Sequence, residues 1–457
     1  MPLIRSISGL RATVGDSLTP DVVVDYAAAF AEYIGGGRVV VGRDGRPSGS
    51  WIEELVIGTL RACGVTVEVL GLAPTPTVQL ATETSEASGG ISITASHNPS
   101  QWNGLKFLDA SGIFLGPEAC AEFFAIVDAR RRPLADWQGG GGIRLASDTI
   151  ERHVEATLAL PFVDVPGLQA RGFKVVVDAV NASGSHIVPM LLERCGCEVV
   201  PLFCTASGIF PHTPEPLPEN LGELAEAVRA HGADIGIAVD PDADRLVLID
   251  ERGEPFGEEY TITQAAEYVL GWARRTRATD DLSVVVNLST TRAVDDVAAR
   301  HDARLVRTPV GEINVALEMK RQGSIIGGEG SGGVILPSLH YGRDSLAGII
   351  ITLMHLLERG GTMSALRASL PSYVIVKKKA PLIPGASAEA VLARIAAAAP
   401  SDARITTSDG LRLDFERSWV HMRSSNTEPI IRVIAEAPTE AAAQVLATRY
   451  MADVLEG

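Results

Sequence analysis

At 457 residues the chain exceeds what one hydrophobic core serves, and roughly 100 to 200 residues per domain leads to an expectation of three or four domains. Forty basic against 56 acidic residues give a net charge of −16, which repels nucleic-acid phosphates and anionic lipid. No Lys/Arg-rich stretch with interleaved aromatics offsets that charge, and Arg130-Arg131-Arg132 reads as a solvated face. No apolar run approaches the ~18 residues a membrane span needs, and MPLIRSISGLRATVG lacks the apolar core of a signal peptide. A soluble cytoplasmic protein is expected, with no nucleic-acid or membrane partner. Five cysteines, at 63, 120, 195, 197 and 204, form no CxxC or His-paired zinc spacing and read as buried reduced thiols.

In chain order, RVVVG at 38 reads as a strand, SWIEELVIGTLRACG as a helix, VTVEVLG as a strand, TVQLATETS as a helix and GGISITA as a strand. Such alternation predicts a largely parallel sheet covered by helices. The order recurs from KVVVD at 174, through a helix ending at Arg194, CEVVPLF and NLGELAEAVRAHG, to IGIAV at 239. It recurs again from SVVVN at 283, through a helix to Arg300, RLVRT and EINVALEMKRQG, to SIIGG at 328. A fourth region from about 372 differs: strand YVIVKKKAPL, an Ala-rich helix from Ser387 to Ala399, strands near Leu411–Phe415 and Trp419–Met422, then a helix from Thr439. The predicted units are 1–150, 151–252, 253–370 and 371–457.

Each repeat ends in an unusual loop: TASHNP at 94, DPDADR at 240 and GEGSGG at 328. Ligands collect outside the carboxyl ends of strands in α/β sheets, so these loops are expected to converge on one cleft. Asp240, Asp242 and Asp244 alternate directly after a strand, and three carboxylates that close need a cation, for which hard oxygens suit Mg²⁺ or Ca²⁺. An EF-hand competes, because Glu251 falls at the twelfth position. Arg245 occupies the sixth position, where that loop needs Gly, and the flanks read as strands rather than helices. GEGSGG satisfies GxGxxG, yet Val334-Ile335-Leu336-Pro337 follows where a dinucleotide site needs a helix. Its alternatives are a plain glycine turn or a loop presenting Glu329 and Ser331 to sugar hydroxyls. RSSNTEP at 423 offers Arg423 with Ser424, Ser425, Asn426 and Thr427 as a phosphate cradle, or a capped turn. Arg432 faces the same pocket or a solvated edge. Ser96 lacks a GxSxG elbow and has His97 as its sequence neighbour, an awkward arrangement for a Ser-His hydrolase. A phospho-acceptor serine beside a metal loop and basic clamps satisfies the needs of phosphoryl transfer.

TASHNP with NGLK, DPDADR, GEGSGG and RSSNTEP, in that order, resemble the α-D-phosphohexomutase superfamily of phosphoglucomutase, phosphomannomutase and phosphoglucosamine mutase. VGRDGRPSG at 41, VVVDAVNASGS at 175 and SGIFPHTPEPLPENL at 207 match it too. The resemblance implies three related α/β domains with mixed, largely parallel sheets and a C-terminal α+β domain around a central cleft. It implies a phosphoserine at Ser96, with Asp240, Asp242, Asp244 and the phosphate of Ser96 holding one Mg²⁺. Arg245 then clamps the transferring phosphoryl group, Lys106 is the general acid/base, and His97 assists. A lysine titrates near neutrality only with desolvation or cationic neighbours, which Arg11 and Arg245 are expected to supply. Glu329 and Ser331 resemble sugar-hydroxyl ligands, and Arg423, Ser425, Asn426 and Thr427 the site for the non-reacting phosphate. A hexose bisphosphate is the implied intermediate and activator, a hinge is implied near Pro371, and the assembly is a monomer or homodimer.

Two departures stand out. Many relatives carry His after Ser-Gly in the sugar loop, where this chain has Gly333, and His340 in LHYGRD is a candidate replacement. RSISGLRA stands where relatives often read GTSGIRG, keeping Ser8, Gly9 and Arg11. GGEGSGGV, HYGRD and QWNGLKF resemble the archaeal-type phosphoglucosamine mutase branch, so glucosamine 6-phosphate is the expected substrate. The alternatives are a phosphoglucomutase or phosphomannomutase, a non-catalytic sugar-phosphate binder and a calcium module.

Overall fold

The computed structural model describes residues 3–7, 9–279, 281–382, 387–424 and 429–455. Four sheets follow one another along the chain. In the first, the parallel strands Arg38–Arg43, Thr66–Leu72 and Gly89–Ile93 are buried through Val39, Val40, Val41, Ile91 and Ile93. The helix Gly49–Ala62 covers them with Ile52, Val56 and Leu60, a four-residue spacing that lays one apolar stripe on the sheet.

The second and third sheets are built alike. Lys174–Asp178 lies between the parallel strands Glu198–Leu202 and Ile235–Val239, and Ser283–Asn287 between Arg304–Thr308 and Ile326–Glu329. In all three repeats the last parallel strand is followed by an antiparallel return strand: Trp102–Asp109, Leu246–Ile249 and Gly333–Ile335. Each signature loop is therefore the turn of a hairpin. That geometry rules out an EF-hand around DPDADR, which joins two strands, and a dinucleotide fingerprint at GEGSGG, which opens a strand.

The N-terminal hairpin Ile4–Ser6 and Gly9–Thr13 adds to the free edge of Trp102–Asp109, setting Arg11 opposite Gly104. Gly9, at φ +92, permits this approach: a Cβ there would lie 2.1 Å from the Leu105 carbonyl oxygen. The fourth sheet is wholly antiparallel, in the order Val374–Pro381, Ile430–Ala437, Trp419–Ser424, Leu411–Asp414, Arg404–Thr406, with helices Ala388–Ala397 and Glu440–Leu455 packed on it.

One apolar core runs through the second and third units, from Val154 to Leu370, whereas the fourth has its own, from Val376 to Val454. Polar contacts join the fourth unit to the third. Arg292 N–H donates to Glu436 Oε2 at 2.8 Å, Val310 N–H to Asp409 Oδ2 at 2.9 Å, and Ser289 Oγ lies 2.9 Å from His421 Nδ1. All five cysteines are free, but Cys63 and Cys204 are half-buried rather than buried. Among the described residues no helix is long and apolar enough to cross a membrane.

Candidate active site

Ser96 sits just past the end of Gly89–Ile93 with φ +50, a conformation rare for a residue with a side chain. The surroundings over-determine it. Ser96 N–H donates to Thr94 Oγ1 at 2.8 Å, and the buried guanidinium of Arg46 donates to the carbonyls of Asn98, Pro99 and Trp102 at 2.7 to 3.0 Å and to that of Ser96 itself. Asp44 accepts from Arg46 Nε at 2.9 Å, so the VGRDGRPSG segment is the frame on which the serine loop is wound. Ser96 Oγ donates to Asp240 Oδ2 at 2.8 Å and lies 3.3 Å from His97 Nδ1. Burial and the charges of Arg245 and Arg11 push the His97 imidazole down to about 2, so it is neutral.

Asp240, Asp242 and Asp244 are at most 1% exposed, and one oxygen of each lies within 4.8 Å of the others. Asp240 Oδ1 accepts from the backbone N–H groups of Asp244 and Arg245, both at 3.2 Å. Asp242 Oδ2 accepts from Thr75 Oγ1 at 2.7 Å and Lys106 Nζ at 2.6 Å, and Asp244 Oδ2 from Lys106 Nζ at 3.2 Å and Arg343 Nη2 at 2.7 Å. Among the described residues, Asp242 Oδ1 and Asp244 Oδ1 are buried without any hydrogen-bond partner. Two orphaned carboxylate oxygens beside a third acidic group are the donor set a hard divalent cation takes, so the residues fit one. Burial and the neighbouring charges of Asp244 and Asp242 drive Asp240 well above the ordinary carboxylate range. Asp244, although equally buried, is held below that range by Arg343, Lys106 and Arg245.

Lys106 departs from expectation. Burial lowers its pKa and Arg11 adds to that, but Asp242 and Asp244 outweigh both, and the ammonium is held above its ordinary value. The two aspartates keep Lys106 charged rather than poised near neutrality.

Arg11, His97, Lys106, Arg245, Glu329 and Ser331 line one cleft of about 390 Å³, which Arg423 and Arg432 reach from the fourth unit. Among the described residues the Nε groups of Arg11 and Arg245 are buried without a hydrogen-bond partner, although Asp244 Oδ1 stands 4.0 Å from Arg245 Nε, as suits a pair of anion ligands. Glu329 Oε1 accepts from Asn287 Nδ2 at 2.8 Å and Gly311 N–H at 3.1 Å, and its Oε2 from Arg343 Nη1 at 2.9 Å. Arg423 is paired with Asp409 at 2.9 Å. Ser425, Asn426 and Thr427 lie outside the described residues.

His340 does not replace the missing sugar-loop histidine. It is 2% exposed and bonded to Asp344 at 3.2 Å, apart from the cleft lining. The space above Gly333 is instead filled by Arg343: a Cβ at 333 would lie 2.3 Å from Arg343 Cδ. Arg343, ten residues downstream, ties Asp244, Glu312 and Glu329 together. Arg46 and Arg343 both lie within segments that carry the family resemblance, but no sequence pattern shows which carbonyls or carboxylates an arginine will reach.

Over residues 4–132, 151–253, 259–373 and 373–452 the chain matches, in order, the alpha/beta/alpha domains I, II and III and the C-terminal domain of phosphoglucomutase/phosphomannomutase. The chain belongs to this family. A protein of Methanopyrus kandleri named "Probable phosphoglucosamine mutase" is 34% identical over 445 residues, covering 97% of this chain and 96% of its own. A "Phosphoglucomutase/phosphomannomutase" of Thermococcus kodakarensis is 36% identical over 462 residues, with 98% of each chain covered. The crystal structure of a phosphoglucomutase/phosphomannomutase family protein from Burkholderia thailandensis superposes with a TM-score of 0.85 at 28% identity, over 99% of this chain and 98% of that one. The family's four-domain architecture is thus present from end to end, and archaeal relatives carry the phosphoglucosamine mutase name, in line with the branch expected from GGEGSGGV.

Proposed function

We propose that this protein is a phosphosugar mutase that moves a phosphoryl group between O6 and O1 of a hexose, converting glucosamine 6-phosphate to glucosamine 1-phosphate. The observation that carries this reading is the contact of Ser96 Oγ with Asp240 at 2.8 Å, beside a carboxylate cluster that also grips Lys106. Phospho-acceptor, cation site and proton donor then lie in one shell, as phosphoryl transfer requires. Asp240, Asp242 and Asp244, with the phosphate of Ser96, would hold one Mg²⁺, which when bound supplies Lewis-acid polarisation of the phosphate oxygens.

Ser96 gives its phosphoryl group to a sugar hydroxyl as Arg11 and Arg245 hold the phosphate oxygens. Lys106, charged, and His97, neutral and 3.3 Å from Ser96 Oγ, are placed to exchange the proton between the sugar oxygen and Oγ. Glu329 and Ser331 orient the ring, and Arg423 with Ser425, Asn426 and Thr427 binds the other phosphate. The hexose bisphosphate turns in the cleft and returns its second phosphate to Ser96. The fourth unit, 371–457, with its separate core and polar contacts to 253–370, is suited to move about Pro371 during that turn, while 1–150 and 151–252 hold the serine and metal loops.

Turnover of glucosamine, glucose and mannose phosphates, with Mg²⁺ and the matching bisphosphate to prime Ser96, tests the reading. Preference for the amino sugar is expected. Preference for glucose or mannose, as the Thermococcus relative's name offers, keeps the mechanism and changes the substrate. No turnover by protein shown by mass to carry the phosphate leaves a sugar-phosphate binder.

A further inference from the structure

Among the described residues, four glutamates border the cleft: Glu215, Glu259, Glu312 and Glu329. Three have a basic partner, since Arg343 holds Glu312 at 3.0 Å and Glu329 at 2.9 Å, and Arg245 stands 4.0 Å from Glu215. Glu259 has none within that range among the described residues. It accepts one hydrogen bond, from Thr291 N–H at 3.0 Å. Lys377, the cation with most influence on it, is bonded to Glu258 at 2.7 Å.

The position of this carboxyl is set by a glycine. A Cβ on Gly330 would lie 1.8 Å from Glu259 Oε2 and 2.5 Å from Oε1, so the carboxyl occupies the space into which a side chain at 330 would project. Gly330 stands between Glu329 and Ser331, the two residues proposed to bind ring hydroxyls. Glu259 is therefore the acidic group laid directly on the ring-binding loop. Its burial drives the carboxyl well above the ordinary range, as expected of an acid lacking a close positive partner.

We propose that Glu259 is a substrate-contacting residue that reads a positively charged amino group on the hexose ring; this rests on the mutase reading above and names what selects its substrate. A ring hydroxyl offers Glu259 a hydrogen bond only, whereas an ammonium also supplies the close positive charge that favours its carboxylate form. The rest of the cleft favours anions through Arg11, Arg245, Arg423 and Arg432, and would repel an ammonium without a carboxylate set aside for it. Glu329 is not free for that task, because Arg343 already pairs its charge at 2.9 Å, while its Oε2, with that one donor, keeps an acceptor position for a ring hydroxyl.

The test compares kcat/KM for glucosamine 6-phosphate and glucose 6-phosphate in wild type, Glu259→Gln and Glu259→Asp, each phosphorylated on Ser96. Glu259→Gln is expected to lower the amino-sugar value by about 10- to 100-fold, mostly through KM, and to leave the glucose value within about threefold. Glucose turnover in the same sample then reports an intact fold. Glu259→Asp, which keeps the charge, is expected to retain part of the preference. Calorimetry on Ser96→Ala protein is expected to show tighter binding of the amino sugar, lost in the Ser96→Ala/Glu259→Gln double variant. An equal fall on both sugars would make Glu259 a structural residue and overturn the proposal. So would a wild type without amino-sugar preference, although the mutase reading would survive. Absence of turnover on either sugar and on mannose 6-phosphate by the wild type would sink the mutase reading and this proposal with it.

Discussion

Asp240, Asp242 and Asp244 bring three ligand-type atoms within 4.8 Å of one another, and so do His153, His340 and Asp344 at a junction of the first three units. By residue type the second cluster is the better transition-metal site, with two imidazoles and a carboxylate. Hydrogen bonding reverses that ranking. Gly342 N–H donates to His340 Nδ1 at 2.9 Å, so Nε2 carries the proton and donates to Asp344 Oδ2. His153 lies between Thr77 Oγ1 and Asp344 Oδ2, 2.9 Å from each, and Asp344 Oδ1 accepts from Leu346 N–H at 2.8 Å. Every polar atom of that cluster is hydrogen-bonded, whereas in the triad Asp242 Oδ1 and Asp244 Oδ1 have no hydrogen bond among the described residues. Unmet hydrogen-bonding capacity, rather than residue type, separates a cation site from a polar staple between domains.

The largest effect expected from this difference is on chemistry. Asp242→Asn should lower turnover on the order of 10³-fold and abolish stoichiometric Mn²⁺ binding measured by electron paramagnetic resonance. Its melting temperature should change little, because Lys106 keeps Asp244 as a partner. The corresponding change in the other cluster, His340→Gln, should leave Mn²⁺ stoichiometry intact. A variant at 340 that loses bound metal would break the comparison.

Next in size is the effect on stability. Asp344→Ala strands two buried imidazoles and uncaps the helix Ser345–Arg359, and should cost about 2 to 5 kcal/mol in urea unfolding. Saturated turnover of the folded fraction should stay within a few-fold of wild type. Loss of turnover without loss of stability would show that the staple serves catalysis.

Which of these clusters can be read from sequence follows from their separation along the chain. Asp240, Asp242 and Asp244 fall within five residues at the end of an apolar strand, and Ser96, Glu329 and Arg423 mark loops by local composition, so all of them are legible in the sequence alone. The alternation of strands and helices is legible for the same reason. The antiparallel return strands that turn each loop into a hairpin are less so, because a short apolar run such as Leu246–Ile249 or Gly333–Ile335 reads as a strand without showing which way it pairs. His340 and Asp344 are neighbours four residues apart in LHYGRD, but His153 lies 191 residues from Asp344, and nothing near it announces that pair. The roles of Arg343 and Glu259 are hidden for a related reason: each fills space left by a glycine in a different element, and a missing side chain does not say what will take its place.

The smallest effect expected concerns pH, where two His–Asp contacts should behave oppositely. Asp344 is buried, but His153 and His340 hold its pKa below the ordinary carboxylate range. A depressed carboxylate contributes stability above its unfolded pKa of about 3.9, lost as pH falls through the folded value. The deficit of Asp344→Asn should therefore be flat from neutral pH down to about pH 4 and shrink only below it. His212 bonds Asp178 at 2.9 Å, at the root of the loop that lays Phe210 against Arg46. Burial works against its charge, but Asp178 prevails and the pKa is raised. A raised imidazole contributes stability in full below its unfolded pKa of about 6.5, lost as pH rises through the folded value. The deficit of His212→Asn should be largest near pH 6 and should fade as pH rises beyond the raised value. Urea unfolding of both variants against wild type from about pH 2 to 9 separates the two windows. If both deficits fade on the same side of neutrality, one of the two histidine contacts has been given the wrong charge.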